Sequence, residues 1–519
     1  MKSVMKHQFS QIPNVQIPRS RFDRSHGLKT SFDAGFLIPI FLDEVVPGDS
    51  FNLRLDAFAR LATPIHPVMD NMYLETFFFF VPTRTIWTNF KKMMGEQDNP
   101  TDSIDYTLPR SSYQVTEGSL LDYLGLPPAV GTQDKITDLP MRAYVKIWNE
   151  WFRDQNLQDS LTYPTGNGVG TLSDYPLLRR GKRHDYFTSC LPWPQKGGAV
   201  NIPIAGEAPV MGIGNVWTDN GQSRTIQEAN DSAISSGQLW NYSRLAYIDG
   251  PPVLSGASVY ADLDQVTATI NELRQAFQIQ KLLEKDARGG SRYVEVIASH
   301  FGISNAGGDA RLQRAEYLGG GSSPVNINPI AQTSETTGTT PQGNLSAMGT
   351  ASVSGHGFSK SFTEHGYIIG LANVRADLTY QQGINRLWSR QTRYDFYWPS
   401  LAHIGEQAVL NKEIMAVGST ATDDLVFGYQ ERFAEYRYKP SMITGAFRSN
   451  AAQSLDTWHL SQDFATVPNL NASFIEDNPP IDRIIAVPSQ PQFIMDCYFN
   501  LKCARPMPLY GVPGLIDHF

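Results

Sequence analysis

The run Phe77-Phe78-Phe79-Phe80, followed by Val81 and closed by Pro82, constrains this chain more than any other feature. An extended strand sends successive side chains to opposite faces, so Phe77 and Phe79 point one way and Phe78 and Phe80 the other. Both faces of such a strand need cover. The fold must therefore place a core on one side and a second apolar layer on the other.

The neighbouring sequence is also strand-like. From Thr30 to Val81 short apolar segments are broken by Pro39, Pro47-Gly48 and Pro64, and Phe51, Leu53, Leu55 and Ala57 alternate with Asn52, Arg54 and Asp56. That period of two predicts a strand with one apolar and one polar face. Between Leu139 and Leu157 the period lengthens. Tyr144, Ile147, Trp148, Trp151 and Phe152 recur at helical spacing, which predicts an aromatic amphipathic helix. A second helix is expected from Asp262 to Lys285, ended by Gly289-Gly290, with Ser291 capping a short one through Phe301. Residues 197–256 and 319–361 are rich in small and polar residues and read as long surface excursions. Strand patterning returns in "GYIIGLANVRADLTY" and "QFIMDCYFNLKCARP". Strands interrupted by long helical and loop insertions point to a barrel or sandwich scaffold rather than an alternating α/β fold.

Net charge is −8, so the chain as a whole is not a basic nucleic-acid binder. The first thirty residues differ. Lys2, Lys6, Arg19, Arg21, Arg24 and Lys29 face only Asp23, a local balance of +5, and Pro13 and Pro18 oppose a helix. Such an extended arm suits contact with a polyanion, or else is an ordinary solvated terminus. Cys190, Cys497 and Cys503 make no disulfide framework and lack Cys-x-x-Cys zinc spacing, as expected of reduced thiols in a cytosolic setting. No apolar run reaches the roughly 18 residues that span a bilayer. The opening residues lack the apolar core of an export signal, so no membrane insertion or secretion is expected.

No catalytic set emerges. There is no phosphate-binding Gly-x-x-x-x-Gly-Lys loop, no dinucleotide fingerprint, and therefore no cofactor to assign. Gly302-Ile303-Ser304-Asn305-Ala306 approaches a nucleophile elbow but ends in Ala and follows a helical pattern. His66 and Asp70 flank a proline-broken turn, His356 and His365 have no third ligand, and the pairs Asp43/Glu44 and Asp423/Asp424 are adjacent and point apart. These read as structural residues in a chain that is not an enzyme. "GINRLWSRQTRYDFYWPSL" interleaves Arg386, Arg390 and Arg393 with Trp388, Tyr394, Phe396, Tyr397 and Trp398. Guanidinium groups with open rings suit single-stranded nucleic acid, and they are equally enriched at subunit interfaces. The same two readings apply to "RFAEYRYKPSMITGAFR".

Five long segments in fixed order, "LATPIHPVMDNMYLETFFFFVPTRTIWTNFKKMMGEQ", "VKIWNEWFRDQNLQDS", "RRGKRHDYFTSCLPWPQKG", "RLWSRQTRYDFYWPSLAHIGEQAVLNKEI" and "FGYQERFAEYRYKPSMITGAFRS", resemble the major capsid proteins of microviruses, in the gokushovirus branch. The resemblance covers nearly the whole chain apart from residues 197–256 and 333–357. It departs at Ala315, where the family pattern has Pro. It implies a mainly β fold, an eight-stranded antiparallel jelly-roll barrel with long insertions, assembled as one subunit type into a small T=1 icosahedral shell around single-stranded DNA. On that reading residues 1–30 form an interior basic arm and 31–519 a single domain. Residues 197–256 are a surface protrusion, 262–301 a helical insertion and 319–361 a loop-rich segment. The DNA-contacting candidates are Lys2, Lys6, Arg19, Arg21, Arg24 and Lys29; the interface or DNA candidates are Arg386, Trp388, Arg390, Arg393, Tyr394 and Trp398. Implied partners are further copies of the chain, packaged DNA, a small basic DNA-binding protein, a minor capsid or pilot protein, a scaffolding protein and a host-cell receptor. Assembly would take place in the bacterial cytoplasm and the protein would end in the virion. The rival from another class is a β-rich glycan-binding or glycan-cleaving protein, suggested by the aromatic and Gly/Ser-rich loops.

Overall fold

The computed structural model describes residues 17–128, 132–198, 270–289, 299, 314–336 and 341–510. It also describes short strands at Glu207–Pro209, Asn215–Trp217, Ser223–Glu228, Leu245–Tyr247 and Tyr260–Asp262. The chain divides into two units, residues 195–288 and the remainder.

The larger unit is organised by nine strands: β1 (Ser20–Asp23), β2 (His26–Phe32), β3 (Ile38–Val45), β4 (Ser50–Leu61), β5 (Met72–Pro82), β6 (Glu316–Ala331), β7 (Leu345–Ser361), β8 (Gly366–Ala376) and β9 (Phe493–Arg505). They pair antiparallel in the order β1-β9-β4-β7-β6-β5-β8-β3, with β2 following β1 along the same edge of β9. Eight positions are thus filled, one of them by two successive strands. β6 gives its first half to β5 and its second half to β7, so the sheet curls and its two halves face each other as a jelly roll. The expected fold class is the observed one.

Each strand position follows from its pattern. Along β4 the residues from Phe51 to Leu61 alternate buried and exposed without exception of face, as the period of two requires. In β5 Phe78 and Phe80 enter the barrel core with Phe41, Phe358 and Phe362. Phe79 belongs to a second apolar cluster and Phe77 packs half-buried against it. Both lie against Phe152, with centroids 5.4 and 5.7 Å away, and Phe79 also meets Trp151 at 5.4 Å. The second face is therefore roofed from within the same chain. The roof is α1 (Leu139–Ile147), which continues as a π-helical turn over Trp148–Phe152. Its polar handles are tied to backbone: Tyr144 Oη donates to Leu37 O at 2.9 Å, Trp148 Nε1 to Arg179 O at 3.0 Å and Trp151 Nε1 to Ala315 O at 2.8 Å. At Ala315 the backbone N–H donates to Glu150 Oε2 at 2.7 Å, a bond that proline could not make.

Three expectations change. Residues 319–361 are not loop-rich but form most of the β6–β7 hairpin. The glycines that suggested loops serve close backbone approach instead. A Cβ at Gly320 would stand 2.0 Å from Thr76 O, and one at Gly357 2.0 Å from Leu53 O. Residues 20–32 are not a free arm, because β1 and β2 are bonded to β9 at the far end of the sequence. The second long helix, α2, runs Ile270–Gly289, in the smaller unit as far as Arg288, and Asp262 instead closes a strand paired with Glu207–Pro209. In that unit Asn215–Trp217, Ser223–Glu228 and Leu245–Tyr247 form a three-stranded sheet. The rest of the 197–256 excursion, and the short helix expected after Ser291 apart from Ser299, lie outside the described residues.

Two expected outcomes follow from this packing. Phe79→Ala should destabilise the subunit by about 3–5 kcal/mol, whereas Phe58→Ala, exposed on the outer face, should stay within about 0.5 kcal/mol, both read from denaturant unfolding. The second concerns His356, buried in the barrel between Thr76 Oγ1 at 2.9 Å and Ser323 Oγ at 3.3 Å. Burial pushes its imidazole below the ordinary value of 6.5. The stability it contributes is present above pH 6.5 and is lost as pH falls below it, because the unfolded chain takes up the proton first. Thermal midpoints measured from pH 7 to pH 5 should fall less steeply in His356→Gln than in the parent.

Candidate interaction surface

The segment between β8 and β9 folds over a third apolar cluster that includes Tyr186, Phe187, Tyr380, Val409, Ile414 and Phe427. Ion pairs fix its surface turns. Arg386 opens a 3-10 turn (Arg386–Trp388) capped by Asn385, whose side-chain oxygen accepts from Leu387 N at 3.0 Å. Its guanidinium turns inward, donating to Ala408 O at 2.7 Å and meeting Glu413 Oε1 at 3.1 Å. Glu413 also accepts from Tyr186 Oη at 3.0 Å and Leu410 N at 3.0 Å. Burial pushes its carboxyl upward, against the opposing pull of Arg386. Arg390 is likewise held, 3.7 Å from Glu435 and with its guanidinium 4.4 Å from the Tyr436 ring centroid.

With those cations committed inward, rings face outward. Trp388 is 78% exposed, and Tyr394, Phe396, Tyr397 and Trp398 are each about half exposed. Arg393 lies over Tyr394 at 4.9 Å, and its carbonyl accepts from Trp398 Nε1 at 2.8 Å. The second aromatic segment singled out in the sequence joins the same patch. Tyr397 packs 5.3 Å from Phe433 and 6.2 Å from Tyr436, while Tyr436, Tyr438 and Met442 are at least half exposed beside it. Tertiary structure thus unites two segments that the sequence presents some forty residues apart. Exposed rings over anchored arginines make a surface suited to burial against a partner more than to phosphate.

The basic-arm candidates are not brought together as an arm. Lys2 and Lys6 lie outside the described residues. Arg24 pairs with Asp43, and Lys29 stands 3.4 Å from Asp496. Arg21 is exposed on β1, and the Arg19 guanidinium lies close to Gly48 at the barrel's end. His66 is structural, stacked on Trp458 at 5.0 Å and bonded to Thr457 Oγ1 at 2.7 Å. Among the described residues no group of three or more His, Cys, Asp or Glu could hold a metal ion. All three cysteines are buried and free, and burial pushes the Cys497 thiol up to about 12. Sequence reasoning missed the buried ion pairs altogether. Asp138 and Arg142, 3.0 Å apart and fully buried, follow the helical four-residue spacing that could have signalled them.

Comparison with known proteins agrees over the full length. The pattern of a family described as capsid protein (F protein) matches residues 10–515. The capsid protein VP1 of Bdellovibrio phage phiMH2K is 47% identical, over 99% of this chain and 98% of its own. Those of Chlamydia phage 1 and Spiroplasma virus 4 are 45% and 38% identical, over 99% and 98% of this chain and 98% and 97% of theirs.

Removing the anchor under the patch should be felt in the fold. Glu413→Ala leaves Arg386 and Tyr186 without their carboxylate and should destabilise the subunit by about 1–3 kcal/mol in denaturant unfolding. Trp388→Ala, on the exposed side of the same turn, should change that reading by no more than about 0.5 kcal/mol.

Proposed function

The chain belongs to the F-type capsid-protein family of small phages, a structural component of the virion that assembles into a shell; from that premise we propose that its copies close into a T=1 icosahedral particle around single-stranded DNA. The observation that carries the reading is the exposed aromatic patch. Obligate interfaces commonly bury more than about 2,000 Å² and concentrate aromatic rings and arginine at their centres. Trp388, Tyr394 and Trp398 supply the rings, Arg386 and Arg390 hold the turns that present them, and Arg393 lies over Tyr394. Seated against a neighbouring copy, these rings account for a surface that no part of the described chain covers.

The remaining parts fit the same plan. Residues 197–256 recognise the host-cell receptor, since small and polar sequence of this kind carried on a fixed scaffold tolerates change. The residues before β1, with Lys2, Lys6 and Arg19, face the packaged genome. Scaffolding, pilot and small basic DNA-binding proteins complete assembly in the bacterial cytoplasm. Capsid relatives matched end to end favour the shell over the glycan-directed alternative.

Electron micrographs of native particles should show one uniform closed shell, and a stable monomer released from virions under mild conditions would contradict it. Trp388→Ala should weaken assembly by about 2 kcal/mol or more, the scale of an interface hot spot, read as a higher subunit concentration needed for particles in sedimentation.

A further inference from the structure

The half of the barrel sheet built from β1, β2, β9, β4 and β7 has one face in the core and one in solvent. On the solvent face Phe58 and Tyr498 are 42% and 52% exposed. Phe58 stands directly opposite Asp496, and Tyr498 directly opposite Asp56, so the two rings are diagonal neighbours on adjacent strands. Neither packs on another ring among the described residues, and the Arg60 guanidinium reaches the Phe58 ring at 5.4 Å. We infer that this sheet face is a stacking platform for single-stranded nucleic acid, with Phe58 and Tyr498 receiving bases and Arg21 and Arg60 receiving phosphates.

Three features of the face support the assignment. Its local charge opposes that of the chain. Five cations, Arg21, Lys29, Arg54, Arg60 and Lys502, meet three carboxylates, Asp23, Asp56 and Asp496, a balance of +2 on a protein of −8. Lys29 pairs with Asp496 at 3.4 Å, Arg54 with Asp56 at 3.5 Å and Lys502 with Asp23, which leaves Arg21 and Arg60 with no carboxylate among the described residues. Rows of side chains on one sheet face repeat every two residues, about 6.6–6.8 Å, a step comparable with that of an extended single strand. Finally, ion pairs occupy the middle of the face, where a protein–protein interface is depleted of charge. A broad sheet face with open rings cannot enter a duplex groove but can stack splayed bases, and it does so with little sequence preference.

This inference rests on the reading of the shell as a container for single-stranded DNA, and it adds a folded surface to the basic residues before β1. The test uses full-length subunits and a fluorescent ten-residue oligothymidylate, with binding followed by anisotropy. Phe58→Ala and Tyr498→Ala should each weaken binding about 5- to 150-fold, because base stacking on an aromatic side chain contributes roughly 1–3 kcal/mol. Arg21→Gln with Arg60→Gln should reduce the salt slope by about 1.4, at roughly 0.7 per phosphate contact. Trp388→Ala should leave affinity unchanged. Parental affinity in a folded Phe58→Ala, Tyr498→Ala double variant would overturn the inference, and so would failure of the parent chain to bind the oligonucleotide. Ring variants that bind DNA normally yet no longer form particles would also overturn it, marking the face as a subunit contact. Failure of the container reading is seen separately, as an absence of closed particles in micrographs of the parent.

Discussion

Everything in the larger unit depends on the two-sided burial of β5. Phe78 and Phe80 fill the barrel while Phe77 and Phe79 need a roof, and the aromatic turn Trp148–Phe152 supplies it. A fully buried phenylalanine contributes about 1.5–3 kcal/mol, so Phe78, Phe79 and Phe80, with Phe77 half-buried beside them, bind barrel and roof into one cooperative body. Burial of Phe79 at 1% exposure is already complete in the single chain. The strand therefore does not need a neighbouring subunit to cover it, and the surfaces left for assembly lie elsewhere.

Charge reinforces that junction. Glu75, on the same strand, is met by Arg180, by Arg375 at 2.9 Å and by Arg183 at 3.5 Å. Arg180 also lies 4.6 Å from the Phe77 ring, so one guanidinium links the carboxylate to the phenylalanine run. Buried charges are tolerated only when paired, and removing one partner is costlier than replacing the whole set by apolar groups. The network therefore fixes where the segment around residues 179–183 sits against the sheet more than it adds net stability.

Among the described residues, two exposed surfaces differ in character. The patch around Trp388 and Trp398 turns Arg386 and Arg390 inward and its rings outward, which favours exclusion of water against a protein. The outer face of β1, β4 and β9 mixes rings with ion pairs and with two arginines that meet no carboxylate among the described residues, which favours a hydrated, sequence-tolerant ligand. A shell protein needs both kinds of contact, one between copies and one toward its contents.

The sequence determined the elements whose signal is local. The alternation in Phe51–Leu61, the aromatic helix from Leu139 and the doubly buried phenylalanine strand could all be read from periodicity, because each side chain's face is set by its own backbone. The interleaved Arg and aromatic residues of 386–398 were legible as a surface of interest for the same reason. Tertiary structure decided what depends on residues far apart. It alone showed that Arg386 and Arg390 are spent on Glu413 and Glu435, and that residues 20–32 are strands held by β9 nearly five hundred positions away. It alone turned the glycines of 319–361 from apparent loop markers into points where two strands' backbones meet. Such pairings leave no local pattern, since a backbone hydrogen bond is the same whatever side chain it carries, and only the curled sheet brings the partners together.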